Sequence, residues 1–492
     1  MLDIDLSKLA GLLTYDPDAP MLFNSGLFVW LFLGFSLVYA LLHKRDVLRI
    51  AFVTLFSYYF YYKSSGACFF LLAVVTVSDY LLARMMHRTS SRRGRLACVT
   101  LSIVINLGLL CYFKYTNFFY ATFMQVVGGT FSPLDIVLPV GISFFTFQSL
   151  SYTIDIYRGK LSPLGSLLDY AFYVSFFPML VAGPIVRASD FIPQIHRRPT
   201  VDRDMFARGI FLIVCGLLKK AVISDYISVN YVSRVFDNPS LYSGVENLFA
   251  IYGYALQIYC DFSGYSDMAI GLALLLGFKV PANFDSPYKS QSVSEFWHRW
   301  HISLSTWLRD YLYISLGGNR RGKVRTYINL MLTMLLGGLW HGASWNFIFW
   351  GGFHGLCLVV DKFVRSLRLP SPGRGGTMMR VVKVVVTFHL VCFGWIFFRN
   401  TDFSGSVAML RQIFSDFHPE LFRQLVTGYA AVFALMAVGF VTHFVPDGWS
   451  QRVQSLIAKS PVIISVLLLA LAIFVVIQVK SMDVQPFIYF QF

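Results

Sequence analysis

Two histidines occur among apolar residues, where an ionisable side chain is costly and is therefore a candidate for chemistry. His341 lies in the segment Gly-Gly-Leu-Trp-His-Gly-Ala-Ser-Trp (337–345), and His301 precedes it by 40 residues. Burial keeps the unprotonated imidazole populated, which suits a general base, and the glycines beside His341 would let a substrate approach closely. This pattern indicates proton transfer at a buried site, with His341 as the base.

Residues 293–316 have the spacing of one amphipathic helix. At about 100° per residue, this helix would turn His301 toward its buried face and His298 away from it, beside Ser305 and Arg309. The two histidines could instead chelate a metal ion, but their side chains would diverge by about 60° and no third ligand has suitable spacing. We therefore expect His301 to point inward, His298 to take no part in the chemistry, and no metal site.

Three more polar residues near these histidines have mainly structural interpretations. Asp261 and Asp267 lie in a Cys-Asp-Phe-Ser-Gly-Tyr-Ser-Asp segment and could orient an imidazole. We favour a structural role for both, as partners that neutralise Arg299 or Arg309. His354, in a Trp-Gly-Gly-Phe-His-Gly segment, is expected to be packed among apolar residues and not catalytic.

The elements that carry these residues have the composition of a membrane protein. Of the 492 residues, 56% are hydrophobic and 14% are charged, whereas soluble domains carry roughly 25% charged residues. Four stretches of 19 to 21 residues contain no Asp, Glu, Lys or Arg: 22–42, 136–154, 425–445 and 461–479. Each could cross a hydrocarbon core of about 30 Å as a helix. The composition excludes a disordered chain, a coiled coil and a secreted disulfide scaffold. It predicts an all-α polytopic membrane protein with about 11 transmembrane helices plus re-entrant and amphipathic helices.

The loop charges predict the topology and explain the net charge of +15. Basic residues concentrate in the loops after the first and third apolar stretches, so these loops should be cytoplasmic and the acidic N-terminus extracytoplasmic. The same rule accounts for the excess of lysine and arginine without a nucleic-acid partner. The seven cysteines lie in apolar runs without a CxxC pair, so we expect no disulfide.

Two stretches should enter the membrane and return to the same side. Residues 170–186 are interrupted by two prolines and a glycine, which break a helix. Residues 326–360 carry no Asp, Glu, Lys or Arg but have basic residues on both sides. As one helix they would extend over about 50 Å, so we expect two arms of about 20–25 Å. Gly337, Gly338 and Gly342 mark the expected bend.

Five segments form a set of motifs in a fixed order. They are Leu-Pro-Val-Gly-Ile-Ser-Phe-Phe-Thr-Phe-Gln (138–148), Phe-Phe-Pro-Met-Leu-Val-Ala-Gly-Pro-Ile (176–185), Cys-Asp-Phe-Ser-Gly-Tyr-Ser-Asp-Met-Ala (260–269), Glu-Phe-Trp-His-Arg-Trp-His-Ile-Ser-Leu-Ser (295–305) and Gly-Leu-Trp-His-Gly-Ala-Ser-Trp (338–345). In these segments the sequence resembles the membrane-bound O-acyltransferase (MBOAT) family, in particular its bacterial branch that contains the membrane subunit of alginate O-acetylation. The resemblance extends over roughly residues 20–400.

The resemblance implies a ring or funnel of helices around a central tunnel. It assigns the catalytic histidine to His341 and the second motif histidine to His301, while His298 stands where relatives often carry a basic residue such as Arg. It also implies that an acyl group passes from a cytoplasmic donor to an exported polymer, often through an extracytoplasmic partner protein. We therefore expect a cell-surface or secreted polysaccharide as the acceptor.

The chemistry of ester formation fits these roles. A thioester needs only polarisation of its carbonyl, so the protein must align and deprotonate the acceptor hydroxyl and exclude water. His341 would take the proton, and His301 would orient the acceptor or help polarise the carbonyl. Acetyl-CoA is the expected donor, and no tightly bound cofactor is expected. Four basic residues at the cytoplasmic mouth could attract the donor's phosphates, although the positive-inside rule alone would also place them there: Arg309, Arg320, Arg321 and Lys323.

We expect one integral membrane domain over residues 1–492, with its core in 20–400 and C-terminal transmembrane helices in 401–492, in the inner membrane of a bacterium. One alternative within the same class is D-alanyl transfer to teichoic acid from a carrier-protein thioester. A transporter or flippase is the alternative of a different class, because it also uses broken helices and buried polar residues. The absence of repeated halves counts against a transporter. The absence of HExxH and of a GxSG motif with a later histidine counts against an intramembrane protease.

Overall fold

The part of the chain that the structure describes is mostly α-helical. The structure is a computed structural model, and it describes residues 11–17, 20–367, 376–400, 402–479 and 487–488. Within these ranges no residue belongs to a β-strand. The all-α fold class expected from the composition is therefore confirmed.

Several helices are long and apolar enough to cross a membrane. In the described ranges there are five such segments: Asp46–Arg88, Arg92–Val127, Trp345–Ser366, Thr377–Arg399 and Val462–Val479. A sixth arises if Pro419–Gly428 and Ala430–Phe444, which meet at 94°, form one broken span. The predicted continuous span 425–445 is thus wrong, because the helix bends near Tyr429, whereas 461–479 is a helix as expected. The total of about 11 crossings stays a prediction.

The described residues fall into two compact units. Unit one draws on Met1–Gly209 and Ala269–Pro281, and unit two draws on Ile210–Met268 and Ala282–Phe492. The expected single domain over the whole chain stays a prediction.

The helices before residue 200 lie in unit one. In chain order they are α1 (Gly26–Leu42), α2 (Asp46–Ser65), α3 (Phe69–Arg88), α4 (Arg92–Leu110), α5 (Thr116–Val127), α6 (Ile142–Tyr157), α7 (Leu167–Ser175), α8 (Phe177–Leu180) and α9 (Ala188–Ile195). The predicted span 136–154 is wrong at its start, because α6 begins only at Ile142. Gly141 precedes it with a φ of 72°, and a Cβ there would lie 2.5 Å from the Leu180 carbonyl oxygen. Close backbone contact at Gly141 therefore sets the beginning of α6.

The stretch 170–186 is broken as its prolines and glycine predict. The helix is interrupted at Phe176 and α8 ends at Leu180, after which the chain continues without helix. Every residue from 170 to 186 except Ala171 is buried. Irregular backbone is tolerated in a membrane protein where protein surrounds it, and this burial meets that condition. Its path relative to the membrane stays a prediction.

A buried carboxyl group links three helices of unit one. Asp79 on α3 accepts hydrogen bonds from Ser102 Oγ at 2.6 Å and Asn106 Nδ2 at 2.7 Å, both on α4. It also accepts one from Ser149 Oγ on α6 at 2.5 Å. These donors offset the cost of burying a polar side chain in an apolar segment. Asp79 is therefore a structural residue that fixes α3, α4 and α6 against one another.

Unit two contains most of the later helices. In chain order they are α10 (Arg203–Leu217), α11 (Asp225–Ile227), α12 (Ser233–Asp237), α13 (Gly244–Leu275), α14 (Val293–Arg299), α15 (Ile302–Trp307), α16 (Gly322–His341), α17 (Trp345–Ser366), α18 (Thr377–Arg399), α19 (Phe403–Ser415), α20 (Phe422–Gly428), α21 (Ala430–Phe444), α22 (Asp447–Lys459) and α23 (Val462–Val479). The first residues of α10 and the last residues of α13 belong to unit one. Helical turns of π type occur at Leu218–Ser224, Ser228–Val232 and Leu308–Tyr313.

The single amphipathic helix expected over 293–316 is wrong. α14 ends at Arg299, His301 adopts a left-handed backbone conformation with φ of 42°, and α15 starts at Ile302. The segment then continues as the π-helical turn Leu308–Tyr313. A left-handed residue redirects the chain, so the two halves present different faces from those of one continuous helix.

The stretch 326–360 forms two helices, as its flanking charges indicate. The bend lies at residues 342–344, between α16 and α17, so of the three glycines only Gly342 is part of it. Gly337 and Gly338 lie inside α16. Within 326–360 each arm has 16 residues, 326–341 and 345–360, which corresponds to about 24 Å and agrees with the expected length. The helices themselves extend beyond this stretch at both ends, from Gly322 and to Ser366.

Replacing Asp79 with alanine should destabilise the protein. The donors of Ser102, Asn106 and Ser149 would lose their acceptor in a buried place, at about 1–3 kcal/mol for each stranded group. Asp79→Asn keeps the shape and one acceptor oxygen and should cost less. We expect thermal unfolding of the detergent-solubilised protein at the lowest temperature for Asp79→Ala and at an intermediate one for Asp79→Asn. Equal unfolding temperatures for the three proteins would contradict the structural role.

Candidate active site

Unit two contains a half-open cavity of about 470 Å³. α14, α15, the π-helical turn Leu308–Tyr313, α16 and α17 contribute to its wall. The apolar lining residues are Trp297, Ile302, Leu304, Leu308, Leu330, Met334, Gly337, Trp350 and Leu358. The polar lining residues are Ser294, His298, Ser305, Thr306, Arg309, Tyr313, Asn319, Thr333, His341 and Lys362. Most of the exposed area of this wall is apolar, although ten of its 19 lining residues are polar. A largely apolar cavity of this volume with polar groups in its wall is typical of a small-molecule site.

His341 lies in the wall of this cavity. It is the last residue of α16 and is buried. Its ring packs edge-on against Trp350 and Phe398, with centroids 5.0 and 5.2 Å away. α16 ends here because Gly342 is extended and Ser344 caps α17, with its Oγ accepting from the Phe347 N–H. The imidazole is thus held by aromatic rings at a corner between two helices.

The two helices that meet at His341 pack through glycines. A Cβ at Gly338 would lie 2.2 Å from the Phe347 carbonyl oxygen, and a Cβ at Gly351 would lie 2.3 Å from the Met334 carbonyl oxygen. No side chain fits at either position, so the two backbones are in direct contact. This glycine contact fixes the register of α16 on α17 and therefore the position of His341.

His301 is fully buried, as its predicted inward direction requires, but it is not among the residues that line the cavity. Its Nδ1 lies 3.1 Å from Asn283 Oδ1, and its ring packs edge-on against Phe262. The Trp340 ring is near both histidines, 6.1 Å from His301 and 5.0 Å from His341 between centroids. His301 lies outside the five apolar spans, and burial lowers its pKa to about 3, so its ring is neutral.

His298 points away from the core, which confirms the expected direction, but it faces the cavity. Its side chain is exposed and lines the cavity, and its Nδ1–H donates to the Ser294 carbonyl oxygen at 2.6 Å. Ser305 and Arg309 line the cavity as well. The helical wheel already groups His298 with Ser305 and Arg309, and this grouping agrees with the cavity lining. The wheel does not show that the polar face formed by these residues borders the cavity.

Only one of the four predicted phosphate-attracting residues lines the cavity. Arg309 does so, with its Nε 2.8 Å from Asp310 Oδ1. The other three cations surround the start of α16, are exposed, and are not lining residues: Arg320, Arg321 and Lys323. Lys362 on α17 lines the cavity and was not predicted; its Nζ donates to Asn319 Oδ1 at 2.7 Å. Lys362 follows a long apolar run, so only its packing brings it to the site.

Asp261 and Asp267 are structural, as favoured, but the expected arginine partners are wrong. Asp261 pairs with Lys220 at 2.5 Å, and Asp267 pairs with Lys219 at 2.7 Å. Arg299 instead pairs with Glu295 and Asp285, and Arg309 pairs with Asp310. Lys219 and Lys220 are the partners because the π-helical turn Leu218–Ser224, which carries them, packs against α13.

His354 is packed, as expected. It is fully buried, and its ring lies 4.9 Å from Trp350 and 5.3 Å from Trp297 between centroids. In the described ranges, no group of three or more His, Cys, Asp or Glu side chains is arranged to hold a metal ion. The seven cysteines are present as free thiols in the structure.

The chain is similar to a family of membrane enzymes. A sequence profile described as the MBOAT, membrane-bound O-acyltransferase family, matches residues 160–400, which include both histidines and the whole cavity lining. A Pseudomonas aeruginosa protein named "Probable alginate O-acetylase" is 42% identical over 80% of this chain and 75% of its own length. A Pseudomonas putida protein of the same name is 37% identical over 96% of this chain and 100% of its own length. A Helicobacter pylori protein named "Peptidoglycan O-acetyltransferase" is 36% identical over 80% and 79%.

Alanine substitutions at the two neighbouring glycines of α16 should have different effects. A Cβ at Gly338 would overlap the Phe347 carbonyl oxygen, and overpacking of this kind costs about 1–3 kcal/mol. A Cβ at Gly337 would meet the flexible end of Leu308 at 3.3 Å, and Gly→Ala inside a helix otherwise stabilises by about 0.5–1 kcal/mol. We expect thermal unfolding in detergent at a clearly lower temperature for Gly338→Ala and at a nearly unchanged temperature for Gly337→Ala. The reverse order would contradict the glycine contact.

Proposed function

Because the chain belongs to the membrane-bound O-acyltransferase family, we propose that it transfers an acetyl group from a thioester donor to hydroxyl groups of an exported polysaccharide. The protein is a membrane acyltransferase. Relatives named for O-acetylation of alginate and of peptidoglycan support acetyl as the group and a polysaccharide as the acceptor. The observation that carries the proposal is the buried His341 in the wall of a mostly apolar cavity.

In the proposed reaction, His341 acts as the general base. Its neutral imidazole removes the proton of the acceptor hydroxyl while the hydroxyl oxygen attacks the thioester carbonyl carbon. The new C–O bond forms, the C–S bond breaks, and the leaving thiolate takes the proton from the imidazolium. The products are an acetate ester and a free thiol, and His341 returns to its neutral form.

The surroundings of His341 support this chemistry in two ways. The aromatic rings of Trp340, Trp350 and Phe398 restrict the orientation of the imidazole, which lowers the entropy cost of reaching the reactive geometry. The apolar wall excludes water, which would otherwise hydrolyse the thioester. His301 is the second histidine whose ring lies near Trp340. In the proposal it orients the acceptor or polarises the carbonyl.

Acetyl-CoA is the proposed donor. Its phosphates would lie near the cationic lining residues Arg309 and Lys362, and its acetyl-carrying arm would extend along the apolar wall toward His341. The loop charges favour donor entry from the cytoplasm and an extracytoplasmic N-terminus. We propose that the protein lies in the inner membrane of a bacterium and that the acceptor is on the extracytoplasmic side. An extracytoplasmic partner protein would then deliver the acetyl group to the polysaccharide.

Replacing His341 with alanine should abolish acetylation without stopping polymer export. Loss of a general base lowers the rate by roughly 10²- to 10⁴-fold. The measurement is the ester-linked acetate that mild base releases from purified envelope and secreted polysaccharides, divided by the amount of polymer. His389→Ala is the matched control, because His389 is exposed on α18 and is not among the cavity-lining residues.

Each rival function has its own outcome in this experiment. Loss of polymer from the outside of the cell in His341→Ala would indicate a transporter. Release of D-alanine in place of acetate from the wild type would indicate D-alanyl transfer. Unchanged acetate in His341→Ala would contradict the role of this histidine as the base.

Neutralising the cavity cations should weaken donor binding. We expect Lys362→Gln and Arg309→Gln each to raise the KM for acetyl-CoA about fivefold, equivalent to about 1 kcal/mol, with a smaller change in kcat. The increase should shrink at high salt, because salt screens charge attraction. Arg411→Gln, an exposed change on α19, is the control. A rise in KM for Arg320→Gln or Lys323→Gln, with none for Lys362→Gln, would contradict the assignment of the donor to this cavity.

A further inference from the structure

Asn283 is a buried amide that contacts His301 from the segment between α13 and α14. Its Oδ1 lies 3.1 Å from His301 Nδ1 and accepts from the Ser303 N–H at 3.2 Å and the Ser303 hydroxyl at 2.9 Å. Its Nδ2 donates to the Ser266 hydroxyl oxygen at 3.2 Å. One amide side chain thus connects α13, the connecting segment, the ring of His301 and Ser303 at the start of α15.

The hydrogen-bond partners define which way the Asn283 amide faces. The backbone N–H of Ser303 can only donate, so the amide atom that it meets must be the oxygen. The amide nitrogen then faces Ser266, whose hydroxyl oxygen can accept. This orientation follows from the chemistry of the partners and not from the shape of the amide, in which oxygen and nitrogen are nearly equivalent.

The orientation of the amide in turn defines the tautomer of His301. Because Oδ1 of Asn283 can only accept, the hydrogen bond at 3.1 Å requires that His301 Nδ1 carries the proton. A neutral imidazole protonated at Nδ1 has its lone pair on Nε2. Nε2 is therefore the atom of His301 that is able to accept a proton or a hydrogen bond from a hydroxyl group.

Asn283 also supports the unusual backbone of His301. His301 has φ of 42° and ψ of 55°, a left-handed conformation that residues other than glycine rarely adopt. The Asn283 carbonyl oxygen accepts from the Ile302 N–H at 2.9 Å, and its side chain accepts from the Ser303 N–H. Strained residues of this kind persist only where their surroundings hold them, and they concentrate at functional sites.

We propose that Asn283 is the positioning residue of His301, which it holds in the Nδ1–H form so that Nε2 presents its lone pair to the acetyl-transfer reaction. This inference rests on the proposed function. Asn283 acts through His301 and not on the substrate. The side chain of Asn283 holds the His301 ring, and its side chain and main-chain carbonyl oxygen together hold the backbone after His301.

The titratable groups nearest to His301 are found next to the two rings that pack against it. Its ring packs against Phe262 on α13 and Trp340 on α16. The residue before Phe262 is Asp261, which is paired with Lys220, and the residue after Trp340 is His341. A carboxylate placed at position 283 would contact the ring directly, at Nδ1.

Two substitutions at Asn283 separate its positioning role from a purely structural one. Asn283→Ala removes the acceptor, frees the tautomer and should lower kcat by roughly 10- to 100-fold, with the KM for acetyl-CoA little changed. Asn283→Asp restores the acceptor for Nδ1–H, and the Ser266 hydroxyl can donate to the second oxygen. We expect Asn283→Asp to recover most of kcat at neutral pH.

The pH profile adds a second readout. A carboxylate in contact with His301 stabilises the imidazolium and raises the pKa of the ring by roughly 1–3 units. The lone pair on Nε2 would then be lost at a higher pH than in the wild type, so the acid limb of kcat should move upward in Asn283→Asp. Asn247→Ala is the matched control, because Asn247 is also buried in unit two and donates to three backbone carbonyls. It should lower the unfolding temperature but leave kcat per folded molecule and the pH profile unchanged.

The assay uses the full-length protein in membranes, with labelled acetyl-CoA as donor and de-acetylated alginate as the probe acceptor, and with folded protein quantified for each variant. If His301→Ala and His341→Ala both lose activity while Asn283→Ala and Asn283→Asp match the wild type in kcat and pH profile, the positioning role is wrong and the proposed function stands. If His341→Ala keeps full activity, the proposed function fails whatever the Asn283 variants do. A loss in Asn283→Ala that Asn283→Asp does not recover, without a moved acid limb, would also overturn the positioning role.

Discussion

The contact between α16 and α17 is the constraint on which the candidate site depends. Gly338 and Gly351 let the two backbones touch, and the connection between the helices has only three residues, 342–344. His341 is the last residue before this connection, so its position follows directly from the packing of the pair. Without a hydrophobic force between helices in lipid, such close backbone contact is a main source of helix association. The same glycines that stabilise the fold therefore deliver the proposed base to the cavity.

Two carboxylates of α13 are paired with lysines of the π-helical turn Leu218–Ser224. Lys220 and Asp261 form a buried pair at 2.5 Å, and Lys219 and Asp267 form a half-buried pair at 2.7 Å. Removing one partner of the buried pair would leave an uncompensated charge in an apolar interior. His301, in contrast, is oriented by the neutral amide of Asn283, whose Oδ1 meets its Nδ1.

The two histidines have different environments, and the difference fits a division of labour in the proposed reaction. His341 lines the cavity, which also carries the cations proposed for the donor. His301 lies outside that lining, on the strained backbone that Asn283 supports. Trp340 packs against both rings and so links the two environments.

Local sequence was sufficient for the helical membrane class, for the break in 170–186 and for the paired helices in 326–360. These features depend on apolar length, on prolines and on the type of residue, all of which act over a few positions. Packing between distant segments decided the rest. The helical wheel of 293–316 assumed an uninterrupted helix, and the left-handed His301, held by Asn283 from 18 residues away, interrupts it. Lys362 lines the cavity, whereas Arg320, Arg321 and Lys323 do not. The packing of α17 against α16 places Lys362 at the cavity. No local pattern encodes such a choice, since it depends on which surfaces meet after the chain has folded.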